Sequence, residues 1–263
     1  RWLRENADVP ALYTEEAGVN SVVIDSTDNF KGMCQNLAFS LSLYSGQMCT
    51  APQNIYVPAD GIDTDEGRKS FDEVAQGIAK AIDGLLSDPA RAAGVLGTVQ
   101  SEDTIRRIEA ARKLGTILRD STSVQAPGLE NARTATPLVV AVEAGDESAY
   151  LEERFGPISF VVRTRDTAES IERATRSARA KGAITASLYS TDETVIERAE
   201  EAFAAAGTAL SVNLTGGVYV NQSAAFSDFH VTGANPAGTA CLTDTAFVAN
   251  RFRIATMRKP LAA

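Results

Sequence analysis

Ile158-Ser159-Phe160-Val161-Val162, then Asp166 with Glu169 three positions on, a helical run stopped by Gly182, and the stretch Ile184 to Tyr189 decide the fold of this 263-residue chain. The first five residues read as a strand. An Asp followed three positions later by Glu resembles a capping box opening a helix. The pattern then repeats: a helix is expected from about Asp192 to Ala206, closed by Gly207, and leads into a strand from Ala209 to Val212. Two successive crossovers of this kind imply parallel strands, connected right-handedly in nearly all known cases. The chain therefore reads as α/β.

Upstream, the same alternation holds. Ser21-Val22-Val23-Ile24-Asp25 is a strand, followed by a largely apolar helix from about 29 to 45 with Leu37, Leu41 and Tyr44 at helical spacing. Asn54 to Val57 is a strand closed by Pro58. Phe71, Val74, Ile78, Ile82 and Leu85 recur at steps of three and four, and a shorter helix surrounds Ile105, Ile108 and Ala111 and stops near Gly115. A loop is expected from about 121 to 136, before a strand over Pro137 to Val142. Beyond about 214 the periodicity weakens into a Gly- and Pro-rich segment, with one last strand expected over Arg251 to Met257.

Composition bounds the function. Lys and Arg number 25 against 34 Asp and Glu, a net charge of −9 without any basic run, which excludes nucleic acid as the expected partner. No apolar stretch approaches a membrane span and no signal peptide is visible. Three cysteines (Cys34, Cys49 and Cys241) without C-x-x-C spacing argue against a disulfide framework or a zinc site and fit a reducing cytoplasm. The single histidine, His230, leaves little material for a Cys-His or metal arrangement, so no metal is expected.

Three stretches carry chemistry. Ser45-Gly46-Gln47-Met48-Cys49-Thr50 puts a thiol among small residues at the end of an apolar helix, where a substrate can reach it. Cysteine attacks as the thiolate, so such a site needs room and groups that favour the anion. A small buried residue at a helix-to-strand turn is the other reading. Glu152-Glu153-Arg154-Phe155-Gly156-Pro157 precedes a strand, and Gly-Pro forces a turn that can hold the preceding residues toward a cleft. Two solvated carboxylates and a core phenylalanine are the ordinary reading of that stretch taken alone. Thr14-Glu15-Glu16-Ala17-Gly18 lies before the first strand, where a polar turn is the ordinary reading.

In order and separation the three resemble the catalytic half of the NAD(P)-dependent aldehyde dehydrogenases. Gly46-Gln47-Met48-Cys49 matches that family's G-Q-x-C nucleophile motif, and Glu152 to Pro157 matches its E-E-x-F-G-P motif. Glu15 lies 34 residues ahead of Cys49, a separation that suits the family's general base, although the usual glycine pair and lysine are missing and Glu16 is a rival. Gly207 to Asn213 resembles the family's G-T-x-x-V-N strand. Glu15 to Val23, Leu37 to Pro58 and the tail Phe226 to Pro236 look most like the phenylacetic-acid-degradation branch, which oxidises a ring-opened acyl-CoA semialdehyde.

The resemblance implies an aldehyde dehydrogenase-like catalytic domain with a mostly parallel sheet flanked by helices over residues 1–213. Residues 1–20 would be a lead-in from a cofactor domain, and 214–263 a loop-rich tail with a possible role in homo-oligomer assembly. It implies an aldehyde substrate and NAD or NADP as cofactor. Cys49 would attack the aldehyde, its backbone N–H helping to hold the oxyanion. Glu15 would activate water to release the thioester. Glu153 would bind the nicotinamide ribose, and Phe155 would pack beside the ring. Cys34 is expected in the core; Asn213, Asn221 and His230 are weaker pocket candidates. A cofactor-independent cysteine (thio)esterase and a non-catalytic assembly module are the competing readings. The opening Arg1 in mid-pattern reads as an excerpt of a longer protein, and the piece alone is expected not to oxidise aldehydes.

Overall fold

The computed structural model describes residues 5–6, 17–125, 131–215, 255 and 257–260. Its main sheet has eight strands: β1 (Asn20–Ile24), β3 (Pro52–Pro58), β5 (Thr116–Arg119), β6 (Leu138–Glu143), β7 (Ile158–Thr164), β8 (Thr185–Tyr189), β9 (Ala209–Val212) and β10 (Met257–Arg258). They run in the order β10-β9-β8-β1-β3-β7-β6-β5. Every pair is parallel except β5 with β6, which closes one edge antiparallel. The short strands β2 (Ser26–Thr27) and β4 (Asp63–Thr64) pair separately.

Strand periodicity divides the core into two layers. Val22, Ile24, Ile55, Val57, Val139 and Val161 face α1 (Phe30–Ser42) and α2 (Phe71–Leu85). Their neighbours Val23, Tyr56, Val140, Phe160 and Val162 face the other way. There they meet α4 (Glu102–Ala111), α6 (Thr167–Lys181) and α7 (Glu193–Ala206). A sheet buried on both faces explains why its central strands are apolar without alternation. Two shorter helices, α3 (Pro89–Leu96) and α5 (Glu147–Tyr150), complete the described elements.

The expected strand–helix–strand units stand at 158–212 with shifts of one or two residues. Asp166 caps α6 by accepting the Glu169 N–H at 2.7 Å, but the Glu169 carboxylate takes the N–H of Arg165 rather than that of Asp166. The reciprocal box occurs instead at Ser70 and Glu73 on α2. Helix α3 was not expected, although Asp88 and Pro89 supply an N-cap and a first-turn proline. Nor was β5, a four-residue edge strand with Thr116 and Ile117 exposed.

The expected helix over 29–45 breaks earlier. Helix α1 ends at Ser42, and Leu43–Gly46 form a 3-10 turn in which Tyr44, Ser45 and Gly46 all take positive φ, at 50°, 52° and 61°. Three consecutive left-handed residues reverse the chain between α1 and β3. At the far end, Met257 and Arg258 pair with Leu210 and Ser211, so the described part of the closing strand joins this chain's own sheet. No helix among the described residues is long and apolar enough to cross a membrane.

Candidate active site

Strands β1, β3 and β7 are adjacent and parallel, so the segments that precede them reach the same edge of the sheet. This is how stretches about a hundred residues apart come together. Residues 17–19 enter β1, 47–51 enter β3, and 153–157 enter β7. Gly18, Asn20, Cys49, Gln53, Glu153 and Phe155 line one narrow cavity of about 20 Å³, room for a group the size of a water molecule. It sits at the amino edge of the strands, opposite the carboxyl-edge crevice in which open α/β sheets ordinarily bind ligands.

The Cys49 turn is anchored on both sides. Ser45 Oγ donates to the carbonyls of Leu96 (3.2 Å) and Ala135 (2.9 Å). The Gln47 side chain donates to Tyr44 O and Thr98 O and accepts the Gln100 N–H, each at 2.9 Å. Gly46 has no room for a side chain, because a Cβ would stand 2.4 Å from the Gly156 carbonyl oxygen. Cys49 itself is partly exposed.

The two glutamates of the second stretch part company. Glu152 is exposed and ion-paired with Lys181. Glu153 is half-buried in the cleft, where its carboxylate accepts the Gly18 N–H at 3.4 Å. Burial raises the Glu153 carboxyl above its ordinary range, opposed by that hydrogen bond and by the Arg107 charge. Arg107 Nε donates to Phe155 O at 2.9 Å, and the Phe155 side chain is 38% exposed, at the lip rather than in the core. The reading of Phe155 as a core residue is therefore set aside.

Cys34 is 4% exposed on α1, and burial together with the Glu66 charge pushes its thiol up to about 12. It lies on the face of the sheet that carries α1, away from the Cys49 cleft, as its apolar setting led one to expect. Asn213 sits past the carboxyl end of β9, where its amide accepts from Ser190 N and donates to Ser190 O. Among the described residues it does not line the Cys49 cavity. Glu15, Glu16, Asn221, His230, Cys241 and the stretch Phe226 to Pro236 lie outside the described residues. Among the described residues no group of three or more His, Cys, Asp or Glu is placed to hold a metal ion.

Reading the sequence alone missed Asn20, Gln53 and Arg107. For Asn20 and Gln53 the available signal was an amide at the first positions of strands that are otherwise apolar, which does not say what it binds; Arg107, on α4, gave none.

The sequence matches the model of the aldehyde dehydrogenase family over residues 3–238. A solved NAD-dependent aldehyde dehydrogenase from Burkholderia multivorans is 56% identical and superposes with a TM-score of 0.88, covering 96% of this chain and 45% of that one. The N-succinylglutamate 5-semialdehyde dehydrogenase of Hahella chejuensis (strain KCTC 2396) is 30% identical over 171 residues, 63% of this chain and 33% of that protein. A 2-aminomuconic 6-semialdehyde dehydrogenase of a Pseudomonas species is 27% identical over 167 residues, 61% of this chain and 32% of that protein. The chain thus spans about a third of the curated relatives it matches. By its matched residues and its fold, the chain belongs to the aldehyde dehydrogenase family.

Proposed function

We propose that the whole protein oxidises an aldehyde with NAD or NADP, and that this chain carries the nucleophile. The observation that carries the reading is the sharing of one cleft by Cys49, Glu153 and Phe155. Cys49 Sγ attacks the aldehyde carbon to form a thiohemiacetal, and its own backbone N–H helps hold the developing oxyanion. NAD or NADP, held against Glu153 and Phe155, would supply the hydride acceptor that conversion of the thiohemiacetal to a thioester on Cys49 requires. Glu15 then takes a proton from the water that cleaves it.

The lip of the cleft suits a nicotinamide nucleotide. It offers an exposed aromatic face at Phe155 beside a carboxylate at Glu153, one to pack on a ring and one to accept from ribose hydroxyls. Arg107 holds the Phe155 backbone in place. The cavity admits little more than the reacting group, so the cofactor would lie outside it.

On substrate, the resemblance of Glu15 to Val23 and Leu37 to Pro58 to the phenylacetic-acid-degradation branch favours a ring-opened acyl-CoA semialdehyde. That both curated relatives named above act on semialdehydes supports an aldehyde bearing a second polar terminus. Residues 1–213 form the catalytic unit in this reading, and 214–263, including β10, contribute to a homo-oligomer.

The test is nicotinamide reduction by the full-length protein with CoA-linked and free semialdehydes. Cys49→Ser is expected to abolish turnover. Oxidation that survives this change overturns the assignment, and cofactor-independent ester hydrolysis lost with Cys49 would favour the esterase instead.

A further inference from the structure

Strands β1 and β3 do not pair evenly. Asn20 stands opposite Pro52 but Ser21 opposite Asn54, so Gln53 is an extra residue without a partner of its own on β1. Such bulges re-aim side chains at sheet edges. Here the effect falls on two amides. Gln53 turns toward the second stretch, donating to Tyr150 O (2.9 Å) and Glu152 O (3.0 Å) and accepting the Arg154 N–H (2.7 Å). Asn20 turns toward the first. Its Nδ2 donates to Cys49 O at 2.7 Å and to Ala51 O at 3.1 Å, while its Oδ1 accepts from Ile184 N at 3.0 Å and Thr185 N at 3.2 Å.

Asn20 is 3% exposed. An amide side chain has two N–H donors and one carbonyl acceptor with two lone pairs, and all four are used. The regular β1–β3 ladder does not extend to residues 49–51. One side chain therefore ties the nucleophile's own carbonyl to β1 and to the start of β8. Fixing that carbonyl fixes the Cys49–Thr50 peptide plane, and with it the direction in which the Cys49 side chain leaves the backbone.

We infer that Asn20 is a positioning residue for Cys49, acting through the Cys49 carbonyl at the β1–β3 bulge. The inference rests on Cys49 being the nucleophile. Misplacement of a reacting group by about 1 Å costs on the order of a hundredfold in rate, so loss of this tether is expected to be read at the sulfur.

The test is the rate of Cys49 alkylation by iodoacetamide, followed by peptide mapping across neutral to alkaline pH, with Cys34 as the slow internal reference. Asn20→Asp keeps the acceptor that holds β8 and loses the donors to Cys49 and Ala51. Asn20→Ala removes the donors without adding charge, and it carries the test if the aspartate variant does not fold. Asn213→Ala removes a comparable amide at the opposite edge of the sheet and measures the effect of lost stability alone.

The expected result is an altered pH profile and a lower rate for both Asn20 variants, with Asn213→Ala close to the native chain. Native rate and profile in a folded Asn20 variant would overturn the inference. So would slowing that Asn213→Ala reproduces. If Cys49 in the native chain reacts no faster than Cys34, the nucleophile assignment itself fails, an outcome visible without any variant.

Discussion

Gly46 and Gly156 meet backbone to backbone: a Cβ on Gly46 would stand 2.4 Å from the Gly156 carbonyl oxygen and 2.7 Å from its carbonyl carbon. The two residues belong to the two stretches that carry the proposed chemistry, and both hold positive φ, 61° and 140°. The turn that presents Cys49 is thus seated directly on the turn that presents Glu153 and Phe155. No flexible side chain intervenes to absorb an error, so the placement of Cys49 relative to Glu153 and Phe155 is set by this backbone contact.

Gly46→Ala is therefore expected to destabilise the chain by about 2 kcal/mol or more, combining left-handed strain with overpacking against backbone. Gly156→Ala meets a side chain instead, Thr104 Cγ2 at 2.6 Å. Adding Thr104→Ser should recover part of the Gly156→Ala loss and none of the Gly46→Ala loss. Urea midpoints of the single and double variants check both statements.

The start of α6 predicts acid sensitivity. Asp166 is held below its usual range by the Glu169 N–H and by Arg165, and Glu169 by the Arg165 N–H and by Arg173. A folded-state value below the unfolded one gives stability that is present above pH about 4 and lost as the pH falls through the folded values. Asp166→Asn and Glu169→Gln should each flatten the decline in thermal midpoint on acidification. At neutral pH, Asp166→Ala should cost about 1 kcal/mol as a lost helix cap.

Glu153 has the opposite sign. Burial raises its folded value, so the stability linked to its proton is present at low pH and is lost as the pH rises through the carboxylate range. Glu153→Gln keeps the shape without the charge. Its melting temperature relative to the native chain should rise between acidic and neutral pH, and a constant difference would show that the carboxylate is well solvated.

Arg107 joins α4 to the cleft lip through two donors, Nε to Phe155 O and Nη2 to Thr104 Oγ1. Lysine has no planar fork and cannot reproduce both. Arg107→Lys is expected to raise KM for the dinucleotide in the full-length protein by on the order of tenfold, with kcat changed far less, as for a contact that binds rather than reacts.

Much of the scaffold was legible along the chain because its causes are local. The strands from Ile158 and Ala209, the helices between them and their ends at Gly182 and Gly207 follow from apolar spacing, caps and glycine. So does the burial of Cys34 on the apolar face of α1. Helix α3 was missed where an eight-residue run buries only Ala92 and Leu96, and β5 where a four-residue edge strand turns only Leu118 toward the core.

By itself, the order of residues determined an α/β chain with a cysteine among small residues at a helix end, a Glu-Arg-Phe-Gly-Pro turn and no basic run. Tertiary structure alone decided that the amino ends of β1, β3 and β7 lie side by side, that Glu153 rather than Glu152 faces the cleft, and that Asn20 and Gln53 reach across it. The physical reason is range. Helix spacing and caps act over a few residues, whereas strand neighbours, a bulge in their register and a backbone contact between two glycines exist only once distant segments have packed.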